Sequence, residues 1–170
     1  MHLIERTQWV SSPLDETFRF YADPRNLGRI TPPWLAFSLE RADYRSVATA
    51  KARNASDVQD DIAMAEGLRL HYRIRPLLVA QRWTSEITVW DPPHRFVDEQ
   101  VRGPYRRWHH EHCFRAVDDG TEIMDRVEYE LPLGPLGRLA HMLLVKRQLA
   151  SIFEYRERTI TKLFGGEEAR

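Results

Sequence analysis

Residues 96–114 read FVDEQVRGPYRRWHHEHCF and hold three of the chain's seven histidines, His109, His110 and His112, just beyond Asp98 and Glu99. Imidazole titrates near neutrality and ligates metals, so a string of this kind can serve several chemistries. A self-satisfied polar network, a ligand pocket with polar anchors, a His-x-His metal site and an Asp–His acid/base pair all start from these residues. Which of them applies depends on where the side chains point. On a strand, successive side chains alternate between faces. Trp108, His110, His112 and Phe114 therefore share one face, and Arg107, His109, Glu111, Cys113 and Arg115 share the other. The aromatic ends mark the first face as the buried one, and the charges mark the second as solvated.

The preceding strand sorts in the same way, with Phe96, Asp98 and Gln100 on one face and Val97, Glu99 and Val101 on the other. A three-residue hairpin loop, Gly103-Pro104-Tyr105, keeps parity. It sets Gln100 opposite Trp108, Asp98 opposite His110 and Phe96 opposite His112, whereas a two-residue loop would break the apolar face. Further along, Glu128 and Glu130 mark an outer face, which turns Asp125, Val127, Tyr129 and Leu131 inward. Trp83, Ser85, Ile87 and Val89 are expected to point inward from their strand, and Tyr72 and Ile74 from theirs. The interior thus receives Asp98, Gln100, His110, His112, Asp125 and Tyr129 among aromatic rings. An unpartnered buried polar group costs roughly 1–3 kcal/mol, so these groups must pair with one another, with water or with a ligand.

The elements that position them can be read from the rest of the chain. His2 to Val10 alternates as a strand. SSPLDETFRFYADP starts a helix, with Ser12 available as a cap, Pro13 at the first helical position and Asp15 in the first turn. Asp23-Pro24 begins a second short helix through Leu27 and Ile30, which Pro32-Pro33 ends. Strands are expected near 35–44, 68–76, 82–91, 95–102, 106–117 and 121–131, separated by Asp91-Pro92-Pro93, Gly103-Pro104 and Asp118-Asp119-Gly120. Residues 45–66 lack alternation and read as a long loop, with Asp57, Asp60, Asp61 and Glu66 solvated. From residue 134 one long helix carries a stripe of Leu136, Leu139, Leu143, Ala150, Phe153, Ile160 and Leu163. Lys146, Arg147, Arg156, Glu157 and Arg158 fall mostly off the stripe, and Gly165-Gly166 ends the helix.

This order predicts an α+β fold, a seven-stranded antiparallel sheet wrapped around a long C-terminal helix, with two short helices after the first strand. A gap between curved sheet and helix is the expected functional cavity, with Trp34 at its mouth. The chain's 170 residues suit one domain, taken as 1–166 with a flexible tail at 167–170. Basic and acidic residues number 25 each, so nothing in the balance favours nucleic acid or membrane insertion as a partner. One cysteine, Cys113, fits a reducing compartment, and the N-terminus lacks the apolar run of a signal peptide; the expected location is the cytoplasm.

Three stretches carry a family likeness: ADPRNLGRITPPWLAF at 22–37, RWTSEITVWDPPHRFVDEQVRGPYRRWHHEHCF at 82–114 and TEIMDRVEYELPLGPLG at 121–137. The chain resembles the ligand-binding SRPBCC proteins, the START/Bet v 1-like superfamily with its polyketide cyclase/dehydratase-like members. That resemblance implies a helix-grip fold with a hydrophobic tunnel between sheet and helix. It does not imply one reaction, because the fold hosts carriers, receptors, cyclases and co-chaperones.

The expected function is binding of a small hydrophobic or amphipathic molecule. Tyr72, Trp83, Asp98, Gln100, Trp108, His110, His112, Phe114, Asp125 and Tyr129 are the expected ligand-binding residues. A cyclase/dehydratase-type lyase or isomerase using His110, His112, Asp98 and Asp125 is the alternative, and a non-catalytic partner-binding domain is a third. His110 and His112 would need Asp98 or Asp125 to complete a metal site, and neither a metal nor a cofactor is expected.

Overall fold

The computed structural model describes residues 1–44, 53–54, 64–76, 79–132, 134–135 and 141–166. Strand β1 (His2–Val10) leads into helix α1 (Leu14–Tyr21) and two 3-10 turns, Pro24–Gly28 and Pro33–Leu35. There follow β2 (Ser38–Tyr44), β3 (Arg53–Asn54), β4 (Leu68–Ile74), β5 (Gln81–Asp91), β6 (Arg95–Arg102), β7 (Arg107–Val117) and β8 (Gly120–Glu130). A π-helical turn, His141–Val145, runs directly into helix α2 (Lys146–Phe164).

All strands join one antiparallel sheet in the order β1-β8-β7-β6-β5-β4-β2-β3. Seven of them are the expected strands. The eighth, β3, is a two-residue edge piece on β2 within the segment read as loop. The acids Asp57, Asp60 and Asp61 lie outside the described residues. The stretch read as a second short helix is instead a 3-10 turn from Pro24, with Asp23 accepting from the Arg25 N–H. The expected capping role of Ser12 is not realised. Pro13 occupies the N-cap position of α1, and the buried Ser12 hydroxyl makes no hydrogen bond.

Helix α2 packs across the inner face of the sheet through Leu149, Phe153, Arg156 and Ile160. This differs from the expected stripe. Leu143 and Leu163 are exposed, Leu136 and Leu139 lie outside the described residues, and Arg156 is buried. The four buried positions recur at helical spacing, so Arg156 belongs to the core-facing stripe despite its charge. Gly165 ends the helix with φ of 69°, a left-handed conformation that glycine adopts at no steric cost. There Ser11 donates its hydroxyl to the Phe164 carbonyl at 2.9 Å, joining the helix end to the end of β1.

Helix α1 covers the other end of the inner face. Phe18 meets Trp90, Phe96 and Phe114 with ring centroids 5.3, 6.1 and 5.3 Å apart. Trp90 reaches this cluster because β5 shifts register between Ile87 and Val89. Beyond the shift Val89 pairs with Val97 and Trp90 with Phe96, so Val89 leaves the inner face on which strict alternation had set it. Further shifts occur between Leu39 and Arg41 on β2 and where Thr84 and Ser85 meet β6, but β6 and β7 pair with the expected parity, Phe96 opposite His112 and Asp98 opposite His110. Trp34, expected at the cavity mouth, is half exposed on the second 3-10 turn. No helix among the described residues is long and apolar enough to cross a membrane.

Candidate functional site

Between the sheet and α2 lies a cavity of about 170 Å³. Its walls are mainly apolar, with Phe37, Leu70, Trp83, Ile87, Trp108 and Phe153 among them. Its polar side chains include Tyr72, Ser85, Asp98, His110, His112 and Arg156, with Asp23, Asn26, Thr31 and Gln148 also on the lining. Strand alternation places those borne on strands: Asp98 on β6 faces His110 on β7, and His112 faces Asp125 on β8.

The two imidazoles lie side by side, ring centroids 3.8 Å apart, between two carboxylates. Asp98 Oδ2 is 3.2 Å from His112 Nε2 and 3.4 Å from His110 Nδ1. Asp125 Oδ1 is 3.2 Å from His110 Nε2 and 2.6 Å from His112 Nδ1. The last contact lies off the N–H direction, so it is an ion-pair contact and not a formed hydrogen bond. Each histidine thus turns one nitrogen to Asp98 and the other to Asp125. Phe96 stacks on His112 at 4.2 Å and Phe153 sets its edge against His110 at 5.8 Å, which fixes both rings.

Asp98 is held from its other side. Ser85 donates to Asp98 Oδ1 at 3.2 Å, while Trp83 Nε1 donates to the Ser85 oxygen at 3.1 Å and the Tyr72 hydroxyl lies 3.2 Å away. A serine hydroxyl has one proton, so with that proton on Asp98 the Tyr72 hydroxyl must donate.

Electrostatics distinguishes the two histidines. Burial is the main cause that lowers His110, to about 4, and the neighbouring His112 lowers it further. Burial also opposes charge on His112, but Asp125 and Asp98 together outweigh it and raise its pKa above the ordinary value. Burial would raise both carboxyls. Contact with the histidines reverses this, holding Asp98 below and Asp125 well below the usual carboxylate range. With His112 protonated and His110 neutral, the state these shifts favour, the group holds two carboxylates, one imidazolium and one neutral imidazole. The buried Arg156 guanidinium, which leans over the Phe153 ring at 5.3 Å, supplies the second positive charge. The charges balance, as a buried cluster requires.

Of the ten residues expected at the site, Tyr72, Trp83, Asp98, Trp108, His110 and His112 line the cavity. The other four do not. Gln100 spends its amide on the hairpin, donating to the Tyr105 carbonyl at 2.6 Å and accepting from the Tyr105 N–H at 3.2 Å. Phe114 packs with α1. Tyr129 lies in a separate apolar cluster with Val127, Leu149 and Phe153. Asp125 stands behind the histidines. Two expectations for the outer face hold: His109 pairs with Glu99 at 2.7 Å, and Cys113 sits opposite Arg95, away from the site. Arg156 is the residue that sequence reasoning missed. Its spacing from Leu149, Phe153 and Ile160 was the available signal.

A sheet gripping a C-terminal helix over an internal cavity defines the helix-grip class, and comparison with solved structures agrees. The chain is similar to a START superfamily protein from Mycobacterium smegmatis, with 11% identity and TM-score 0.64 over 96% of this chain and 99% of that one. It is also similar to Ara h 8.0201, with 15% identity and TM-score 0.61 over 95% and 98%. TTHA0849 from Thermus thermophilus gives 17% identity and TM-score 0.65 over 95% of each chain. The particular family follows from sequence. Residues 10–153 match the profile of "Polyketide cyclase / dehydrase and lipid transport", and the chain belongs to that family. Among curated protein sequences none matches the chain.

Proposed function

We infer that this protein binds a small hydrophobic or amphipathic molecule in the cavity between the sheet and α2. The observation that carries this reading is the cavity's polarity. Aromatic and aliphatic walls enclose a small set of polar groups, among which Asp98, His110, His112 and Arg156 carry the charge cluster described above. Such a pocket gains affinity from apolar burial and orientation from a few fixed polar atoms. The ligand's body would lie against Trp83, Trp108 and Phe37, and its head against the imidazoles and the guanidinium. A volume of about 170 Å³ favours a compact ligand. The single domain over 1–166 and a cytoplasmic location belong to the same reading; the single cysteine supports the latter.

Native mass spectrometry of freshly purified protein, followed by titration with an apolar fluorescent probe, tests the reading. The expected result is a co-purifying organic ligand, or probe binding that Ile87→Trp abolishes by filling the cavity. Probe affinity unchanged in that folded variant, with no co-purifying ligand, sinks it.

A second reading, a cyclase/dehydratase-type enzyme, draws on one specific observation. Two imidazoles with opposite proton affinities, His110 lowered and His112 raised, stand side by side at the cavity wall, within one ligand's reach. If His110→Ala and His112→Ala leave turnover of an identified substrate unchanged, these residues are not its catalysts.

A further inference from the structure

We propose that Asp98, His110 and His112 form a binding site for a first-row divalent transition-metal ion at the cavity wall, with Asp125 orienting both histidines. Their ligand atoms lie within 4.8 Å of one another. Asp98 Oδ2 stands 3.2 Å from His112 Nε2 and 3.4 Å from His110 Nδ1. Ligands bound at the usual length of about 2.1 Å are separated by roughly 3.0–3.4 Å in octahedral or tetrahedral geometry. Those two edges are thus already at ligand spacing, and the third, between the imidazole nitrogens, lies within 4.8 Å.

The surroundings supply the stronger argument. A metal-bound imidazole carries its proton on the far nitrogen and gives it to a carboxylate or carbonyl. With the ion on His110 Nδ1 and His112 Nε2, the far nitrogens are His110 Nε2 and His112 Nδ1. Both face the same atom, Asp125 Oδ1, at 3.2 and 2.6 Å. The hydrogen bond to Asp125 fixes the metal-binding tautomer of His110, and the ion-pair contact at His112 Nδ1 becomes a hydrogen bond of the same kind once that ring turns to bring its N–H into line. Asp98 is held in the same manner: Ser85 takes its Oδ1 and leaves Oδ2 for the ion. With both imidazoles neutral, a divalent ion offsets the two carboxylates and leaves the Arg156 guanidinium as the one net charge, which an anionic group at the open coordination positions would balance. Two imidazoles and one carboxylate suit zinc, iron, cobalt or manganese better than calcium or magnesium.

Three protein ligands leave coordination positions open toward the cavity, where a carbonyl or carboxylate oxygen of a bound molecule would fit. This last statement rests on the cavity-binding reading, whereas metal binding itself does not.

The test is titration of chelator-treated, full-length protein with Zn(II) by calorimetry and with Co(II) by visible absorbance, with no organic ligand present. One equivalent should bind. Asp98→Asn and His112→Ala should each weaken binding by ~100-fold or more, and Asp125→Asn by about 10–100-fold. His109→Ala, on the outer face, should bind as the parent does. X-ray absorption of the zinc-loaded parent should count two imidazole nitrogens, a result that needs no variant to fold. Absence of one-equivalent binding, fewer than two imidazoles, or binding lost in His109→Ala and kept in folded Asp98→Asn overturns the proposal. A failed ligand-probe titration alongside a positive metal titration would remove the cavity reading and leave this one standing.

Discussion

The hairpin of β6 and β7 carries two sets of ion pairs on its two faces, and they follow different rules. On the outer side of the sheet, Arg95–Glu111, Arg115–Glu122, Arg107–Glu128 and His109–Glu99 pair largely at the surface, mostly one cation to one carboxylate. On the inner side, two carboxylates and two imidazoles share every contact and lie almost wholly out of water. Exposed pairs trade one solvated state for another and contribute little. In a buried set each charge is tolerated only because the others are present. Residue types alone do not separate the two regimes; the two-residue period of the strand does.

The largest test of this contrast removes Asp125. Asp125→Ala leaves the His112 charge with half its compensation in a dry site. Urea denaturation at neutral pH should show a loss of about 3–5 kcal/mol, or failure to fold. A loss near that of a surface pair would mean that water reaches the cluster.

A somewhat smaller effect comes from acid, measured in metal-free protein. Folded His110 stays neutral down to about pH 4, while the unfolded chain takes up that proton near 6.5. Stability should therefore fall between these values, by roughly 3 kcal/mol at 1.36 kcal/mol per pKa unit. His112 works in the opposite direction. Its raised pKa adds stability that is full below 6.5 and is lost as pH rises through the folded value. Between them they put a maximum near 6.5. His110→Gln should flatten the acid limb and His112→Gln the alkaline one.

Arg156→Met should act more gently. Arg156 helps to lower Asp98, so its loss should move the Asp98 carboxyl titration upward, read by NMR of the side-chain carboxyl carbon. An unmoved titration would place the guanidinium's influence elsewhere. The smallest effect belongs to the outer face. A double-mutant cycle on Arg115 and Glu122 should give a coupling below ~1 kcal/mol that shrinks with added salt.

Much of the sheet and the inner pair of histidines were legible because alternation is a local rule. Asp98 falls opposite His110 from parity and a loop length alone. What escaped is what depends on another element. The shift after Ile87 inserts one residue and exchanges the roles of Val89 and Trp90, and no residue type at 88 announces it. Gln100 sits on the inner face, as read, but Tyr105 takes both ends of its amide. A Cβ at Gly103 would collide with that amide, so the glycine in the loop serves a side chain three residues back. A charge argues against burial, so the sequence alone sets Arg156 off the buried stripe. Its position in the α2 stripe and the carboxylates across the cavity reverse that argument.

The pairing of β1 with β8 sets the order in which the molecule can be made. His2 lies opposite Tyr129 and Val10 opposite Thr121, so the first strand of this sheet to be synthesised meets its partner in the last. The helix that closes the inner face comes later still. Contacts this distant in sequence slow folding, because the loop must close before the pairing rewards it. Synthesis at about 5–20 residues per second leaves β1 waiting several seconds for β8. Moving β1 behind α2 by circular permutation should shorten that wait, and a faster refolding rate at equal stability would show that chain order governs assembly.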